Sequence, residues 1–136
     1  MKHSDDAERQ LIGAAIVGGR AVVDEVYERI VYDRPCAPSA LDAAVPDDPV
    51  IVVNSFSKYF SMAGWRLGWL IVPKAEASRA VAYMGALFLT APSLAQHAGL
   101  VAMDCRDELE GNVATYRRNR ELLLEALPAL EIGRAH

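Results

Sequence analysis

In the stretch "NSFSKYFSMAGWRLGW", Asn54 to Trp69, several residues have side chains suited to chemistry on a phosphorylated aldehyde. A lysine amine condenses with an aldehyde to a Schiff base, most readily when the protein desolvates it enough to hold some neutral amine near neutral pH. Lys58 supplies such an amine. The hydroxyls of Ser55 and Ser57 and the guanidinium fork of Arg66 suit a phosphate dianion. Residues that only solubilise a loop would need no such order. The stretch follows the apolar run Pro49-Val50-Ile51-Val52-Val53. Lys58 therefore stands just past the carboxyl end of a predicted strand, the edge at which open α/β sheets place ligands.

Ser55-Phe56-Ser57-Lys58, then Ser61-Met62, Gly64 and Arg66-Leu67-Gly68, resembles the pyridoxal-phosphate attachment signature of class I/II aminotransferases of fold type I, the aspartate aminotransferase superfamily. A second element, "VVDEVYERIVY", resembles the strand of that family whose aspartate and tyrosine face the cofactor ring, and Asp24 precedes Lys58 by 34 positions, close to the family's usual spacing. The resemblance implies pyridoxal 5'-phosphate as cofactor. It implies that Lys58 forms the internal aldimine and moves the proton between substrate Cα and cofactor. Asp24 would pair with the pyridine nitrogen, Tyr27 would hydrogen-bond the phenolate oxygen, and Ser55, Arg66 and Ser57 would hold the phosphate. The implied reaction moves an amino group from an L-amino acid to a 2-oxo acid in an enzyme that is usually a homodimer. The same signature serves lyases, decarboxylases and cyclising γ-eliminases, because it fixes the cofactor chemistry and not which Cα bond breaks. The third alternative is an inactive fragment or non-catalytic binding module.

Each residue also has a plainer reading. Asp24 alone is a strand-end cap, Tyr27 a core aromatic, Arg66 a surface ion pair and Lys58 a solvated loop cation. His97, in an apolar predicted helix, reads as structural, Trp65 and Trp69 as packing residues, and Arg117, Arg118 and Arg120 as a solvated helix face. Thr90 and Ser93 lie in a segment that, in the family, approaches the partner's active site.

The elements that must position these residues follow from pattern. Ala21-Val22-Val23 and "VIVVN" are consecutive apolar, β-branched runs, as in strands covered on both faces. "GWRLGWLIVP" reads as a third strand ended by Pro73. "DDAERQLIGAAIVGG" reads as a short helix stopped at Gly18-Gly19. Residues 32–49 hold four prolines and read as a loop with a helical turn near Ala40 to Ala44. "KAEASRAVAYMGALFL" and "SLAQHAGLVAMDC" read as helices, the second capped by Ser93. "RDELEGNVATYRRNRELLLEAL" reads as a long amphipathic helix through Leu109, Val113, Tyr116, Leu123, Leu124 and Leu127, ended by Pro128.

This order indicates an α/β layer architecture with a largely parallel sheet. By resemblance it is part of the mostly parallel sheet of the large cofactor-binding domain over residues 1–104, followed over 105–136 by a long helix leading toward a small domain. Three strands are few for such a sheet, so the domain is expected to be incomplete. The family's phosphate-binding turn, stacking aromatic and substrate-clamping arginine have no counterpart here.

The 136 residues are 52% hydrophobic with a formal net charge of −4, a globular composition without the basic field that nucleic acid or anionic membrane requires. Cys36 and Cys105 are far apart and read as reduced thiols of a cytoplasmic protein, with no zinc site signalled. The first residues lack a signal-peptide pattern, and no apolar run approaches the ~18 residues of a membrane span.

Overall fold

The computed structural model describes residues 14–45 and 47–127. Four strands, β1 (Ala14–Val17), β2 (Arg20–Asp24), β3 (Val50–Ser55) and β4 (Gly68–Ile71), form one sheet in that order. Three helices follow: α1 (Ala77–Phe88), α2 (Ser93–Ala102) and α3 (Arg106–Ala126). The α/β class expected from sequence is the one observed. Of the parallel pairing expected, the described strands show the central pair, β2 with β3, while β1 and β4 run antiparallel to their neighbours.

The helix expected across residues 5–19 is corrected over its described part. Ala14–Val17 is a strand, and the earlier residues of that segment lie outside the described ones. Gly18 and Gly19 have φ of +56° and +75°, which side-chain-bearing residues rarely adopt in succession. Positive φ at both central residues is what a tight two-residue hairpin turn needs, so the pair reverses the chain instead of ending a helix. Among the described residues the sheet thus has four strands where three were expected.

The core is small. Val23 and Val52, register partners across the parallel pair, are both buried, Val52 to 1% exposure. Asp24 pairs with Val53, and the ladder continues one residue further through the Glu25 amide donating to the Val53 carbonyl at 2.9 Å. The expected turn near Ala40 is a single 3₁₀ turn, Ala40–Asp42, with Ser39 and Asp42 capping each other.

The third predicted strand, residues 64–73, is shorter than its apolar pattern suggested. Ala63–Trp65 form a 3₁₀ turn, Arg66 adopts a left-handed backbone at φ +53°, and only Gly68–Ile71 pair with β3. At α2 the residue in the cap position is Pro92, with Ser93 inside the first turn and no side-chain cap bond, so the expected Ser93 cap is corrected. Proline at that boundary has no N–H to satisfy. α2 meets the Lys58 segment closely. A Cβ on Gly99 would stand 2.7 Å from Leu67 Cδ2 and 3.2 Å from Phe56 Cζ.

α3 buries Leu109 and Val113, one helical turn apart, while Leu123 and Leu124 further along are exposed. Leu109 and Val113 form a cluster with Tyr59, bordered by Ile30, Tyr32 and Phe60. Among the described residues no helix is long and apolar enough to cross a membrane.

Candidate active site

The segment after β3 splits its residues by chemistry. Phe56, Tyr59 and Met62 are buried, whereas Lys58 and Ser61 are exposed and Ser57 is half-buried. Phe56, Phe60 and Trp69 pack as a group in tilted and edge-to-face contacts, with ring centroids 4.6 Å apart for Phe56 and Phe60 and 5.2 Å for Phe56 and Trp69. This aromatic floor assigns Trp69 the packing role read from sequence. Backbone bonds close the turn: the Ser61 amide donates to the Lys58 carbonyl at 3.0 Å and the Met62 amide to that of Phe56 at 3.0 Å. Lys58 is thus displayed on a short, packed turn.

Ser55 and Ser57 come together directly. Their hydroxyl oxygens lie 2.8 Å apart, and the Ser57 amide donates to Ser55 Oγ at 3.0 Å. Both line an open groove of about 440 Å³ with Arg66 and Gly68. Gly68 pairs with Ser55 across the β3/β4 ladder, and a Cβ there would lie 2.7 Å from the Asn54 carbonyl oxygen. Glycine is what lets β4 approach this closely. The Arg66 guanidinium donates through Nη1 to the Ala63 carbonyl at 3.2 Å. Its other N–H groups make no hydrogen bond among the described residues.

Lys58 and Tyr27 also meet. The Lys58 amine stands 5.7 Å from the centre of the Tyr27 ring, within the range at which a cation is attracted to an aromatic face. The two line a second groove, of about 370 Å³, with Ile30, Ser57, Ser61 and Tyr116. Ser57 belongs to both grooves, so the groove of Lys58 and that of Ser55 and Arg66 adjoin along one edge at this residue. Tyr27 is 59% exposed, not the core aromatic of its plainer reading. Asp24 stands exposed at the carboxyl end of β2 and lines neither groove. Its Oδ1 accepts from the Val26 amide at 3.0 Å.

Comparison with known proteins gives this arrangement a family. The model of aminotransferase class I and II matches residues 12–135. The chain belongs to the class I and II aminotransferase family. It is 40% identical over 117 residues to a valine–pyruvate aminotransferase of Mycobacterium tuberculosis, and 34% identical over 114 residues to an aspartate aminotransferase of Sulfurisphaera tokodaii. Those alignments cover 85% and 83% of this chain but 30% and 28% of the relatives, so the chain spans less than a third of their length. Its fold matches the crystal structure of an aminotransferase from Mycobacterium tuberculosis with a TM-score of 0.72 at 37% identity, covering 82% of this chain and 30% of that one. The aspartate aminotransferase of Thermus thermophilus with maleate gives a TM-score of 0.69 at 31% identity, with the same coverage.

In this aminotransferase-family chain, the structure groups five of the six residues singled out from sequence along one edge and holds Asp24 one strand away. Sequence reading placed Tyr116 on a helix but not beside Lys58. Its signal was its position one turn beyond the buried Val113, on the α3 stripe that packs toward the Lys58 turn. Tyr59 was also passed over, and burial together with its neighbour Glu110 raises its phenol pKa above the usual value.

Proposed function

We propose that this chain carries the lysine-bearing part of a pyridoxal-phosphate-dependent aminotransferase site, acting on an L-amino acid and a 2-oxo acid. The observation that carries the reading is the shared edge of Lys58, Tyr27, the Ser55/Ser57 pair and Arg66, in a chain of this family. The donor set fits the cofactor. Two adjacent hydroxyls and an arginine with uncommitted N–H groups suit a phosphate, and an amine beside an aromatic ring suits an aldehyde on a flat heterocycle.

Pyridoxal phosphate, when bound, supplies an electron sink for a carbanion at the substrate Cα. Ser55 and Ser57 would hold its phosphate by hydrogen bonds, and Arg66 would both bond it and offset part of its charge. Asp24 has one oxygen engaged by Val26, which leaves Oδ2 to accept from a ring nitrogen and keep it protonated. Tyr27 donates to the phenolate oxygen. The Lys58 amine would anchor the cofactor, and as a free amine it would take and return the proton at the substrate Cα. Assembly as a homodimer, a cytoplasmic location, and a division into residues 1–104 and a following helix are parts of the same proposal, supported by family membership.

Reconstitution with pyridoxal phosphate, borohydride reduction and peptide mapping test the assignment. Label is expected on Lys58 in preference to Lys2 and Lys74 and lost in Lys58→Ala, whereas equal labelling of all three lysines would sink it. The same edge supports a second reading, cofactor binding without turnover, because its residues account for the aldehyde and the phosphate. Selective labelling with no amino transfer to any 2-oxo acid would favour that one.

A further inference from the structure

Lys58 is exposed, yet the residue after it is anchored in the core. Tyr59 is 6% exposed and packs with Leu109 and Val113 of α3, and its hydroxyl donates to Glu110 Oε1 at 2.7 Å. Arg29 stands 5.9 Å from the centre of the same ring. A buried phenol needs an acceptor, whereas the exposed Glu110 can turn to water, so the demand for this bond comes from the tyrosine. On the other side of Lys58 the Asn112 side-chain amide donates to Ser61 Oγ at 3.4 Å, and the Ser61 amide closes the turn on the Lys58 carbonyl. Tyr116 then reaches the Lys58 groove itself. α3 therefore holds the turn on both sides of the lysine.

We propose that Tyr59 and Glu110 are positioning residues for Lys58, their hydrogen bond fixing the turn to α3 and so setting where the amine stands against Tyr27. The functional importance of this placement rests on the reading of Lys58 as the cofactor-linking amine, but the placement itself is measurable without cofactor. The chain has three lysines, Lys2, Lys58 and Lys74. Reductive ¹³C-methylation keeps their charge and gives each side chain its own methyl resonance, that of Lys58 assigned by its loss in Lys58→Arg.

In the wild-type chain the Lys58 resonance should be displaced from the other two by the Tyr27 ring current. Tyr59→Phe and Glu110→Ala should each lose most of that displacement, leaving Lys74 unmoved. The double variant should lose no more than either single one, and Glu110→Gln, which keeps an acceptor oxygen, should retain it. An undisplaced wild-type resonance would overturn the proposal. So would variants that lower stability while the Lys58 resonance stays in place, the mark of a merely structural bond. Cofactor labelling of the wild-type chain is scored separately. Its failure would remove the functional reading, while the resonances still decide the positioning.

Discussion

Gly68 is the residue that most tightly limits the proposed phosphate corner. Because its added Cβ would meet a backbone carbonyl and not the end of a flexible side chain, Gly68→Ala forces β3 and β4 apart. We expect a stability loss of roughly 1–3 kcal/mol, the usual cost of overpacking, read as a lower urea midpoint. An unchanged midpoint would show that the Asn54 carbonyl yields. Arg66 is constrained differently, since an unbranched substitute such as alanine meets the same left-handed backbone cost that the arginine already carries. Arg66→Ala should therefore fold as before while weakening pyridoxal-phosphate affinity by ~1.5–3 kcal/mol, the range for hydrogen bonds to charged groups. A cofactor titration with no change in affinity would return Arg66 to a structural role.

At the scale of elements, α3 divides into a packed and an unpacked part. Leu109→Ala should cost ~2–5 kcal/mol, as for other buried leucines, whereas Leu123→Ala, at a position 58% exposed, should change stability by no more than about 0.5 kcal/mol. Equal losses on thermal melting would contradict the packing described. Periodicity could not make this distinction, because it marks which residues share a helix face and not how far along the helix a neighbour extends. The Lys58 signature was legible because chemistry restricts residue type at each position. The β1–β2 hairpin was not, because a glycine pair can both stop a helix and reverse a strand, and a four-residue apolar run carries no period that separates the two. Tyr59 and Tyr116 were hidden for a related reason: their roles depend on contacts between segments distant in sequence.

At the scale of the whole molecule, an ion pair ties the sheet to the helices. Arg20, at the start of β2, bonds Glu76, which precedes α1, and this bond lowers the Glu76 pKa below its ordinary value. A lowered folded-state pKa means that the contribution is complete above the ordinary carboxylate pKa and is lost as pH falls through the lower folded value. Glu76→Gln should therefore flatten the acid limb of a melting-temperature profile while leaving its neutral slope unchanged. The effect should shrink in high salt, since both side chains are partly solvated. An acid limb identical to that of the wild type would assign the pH dependence elsewhere. The parallel pairing of β2 with β3 has a kinetic consequence. Asp24 reaches its partner Val53, and Tyr27 the Lys58 turn, only after the intervening proline-rich connection closes, and long closures slow folding because their entropy is lost before any contact forms. On refolding, helical signal from α1 to α3 should rise first and the approach of Tyr27 to Lys58 should come late. A folding chain would then pass through a helical stage that already displays its lysine but has no site around it.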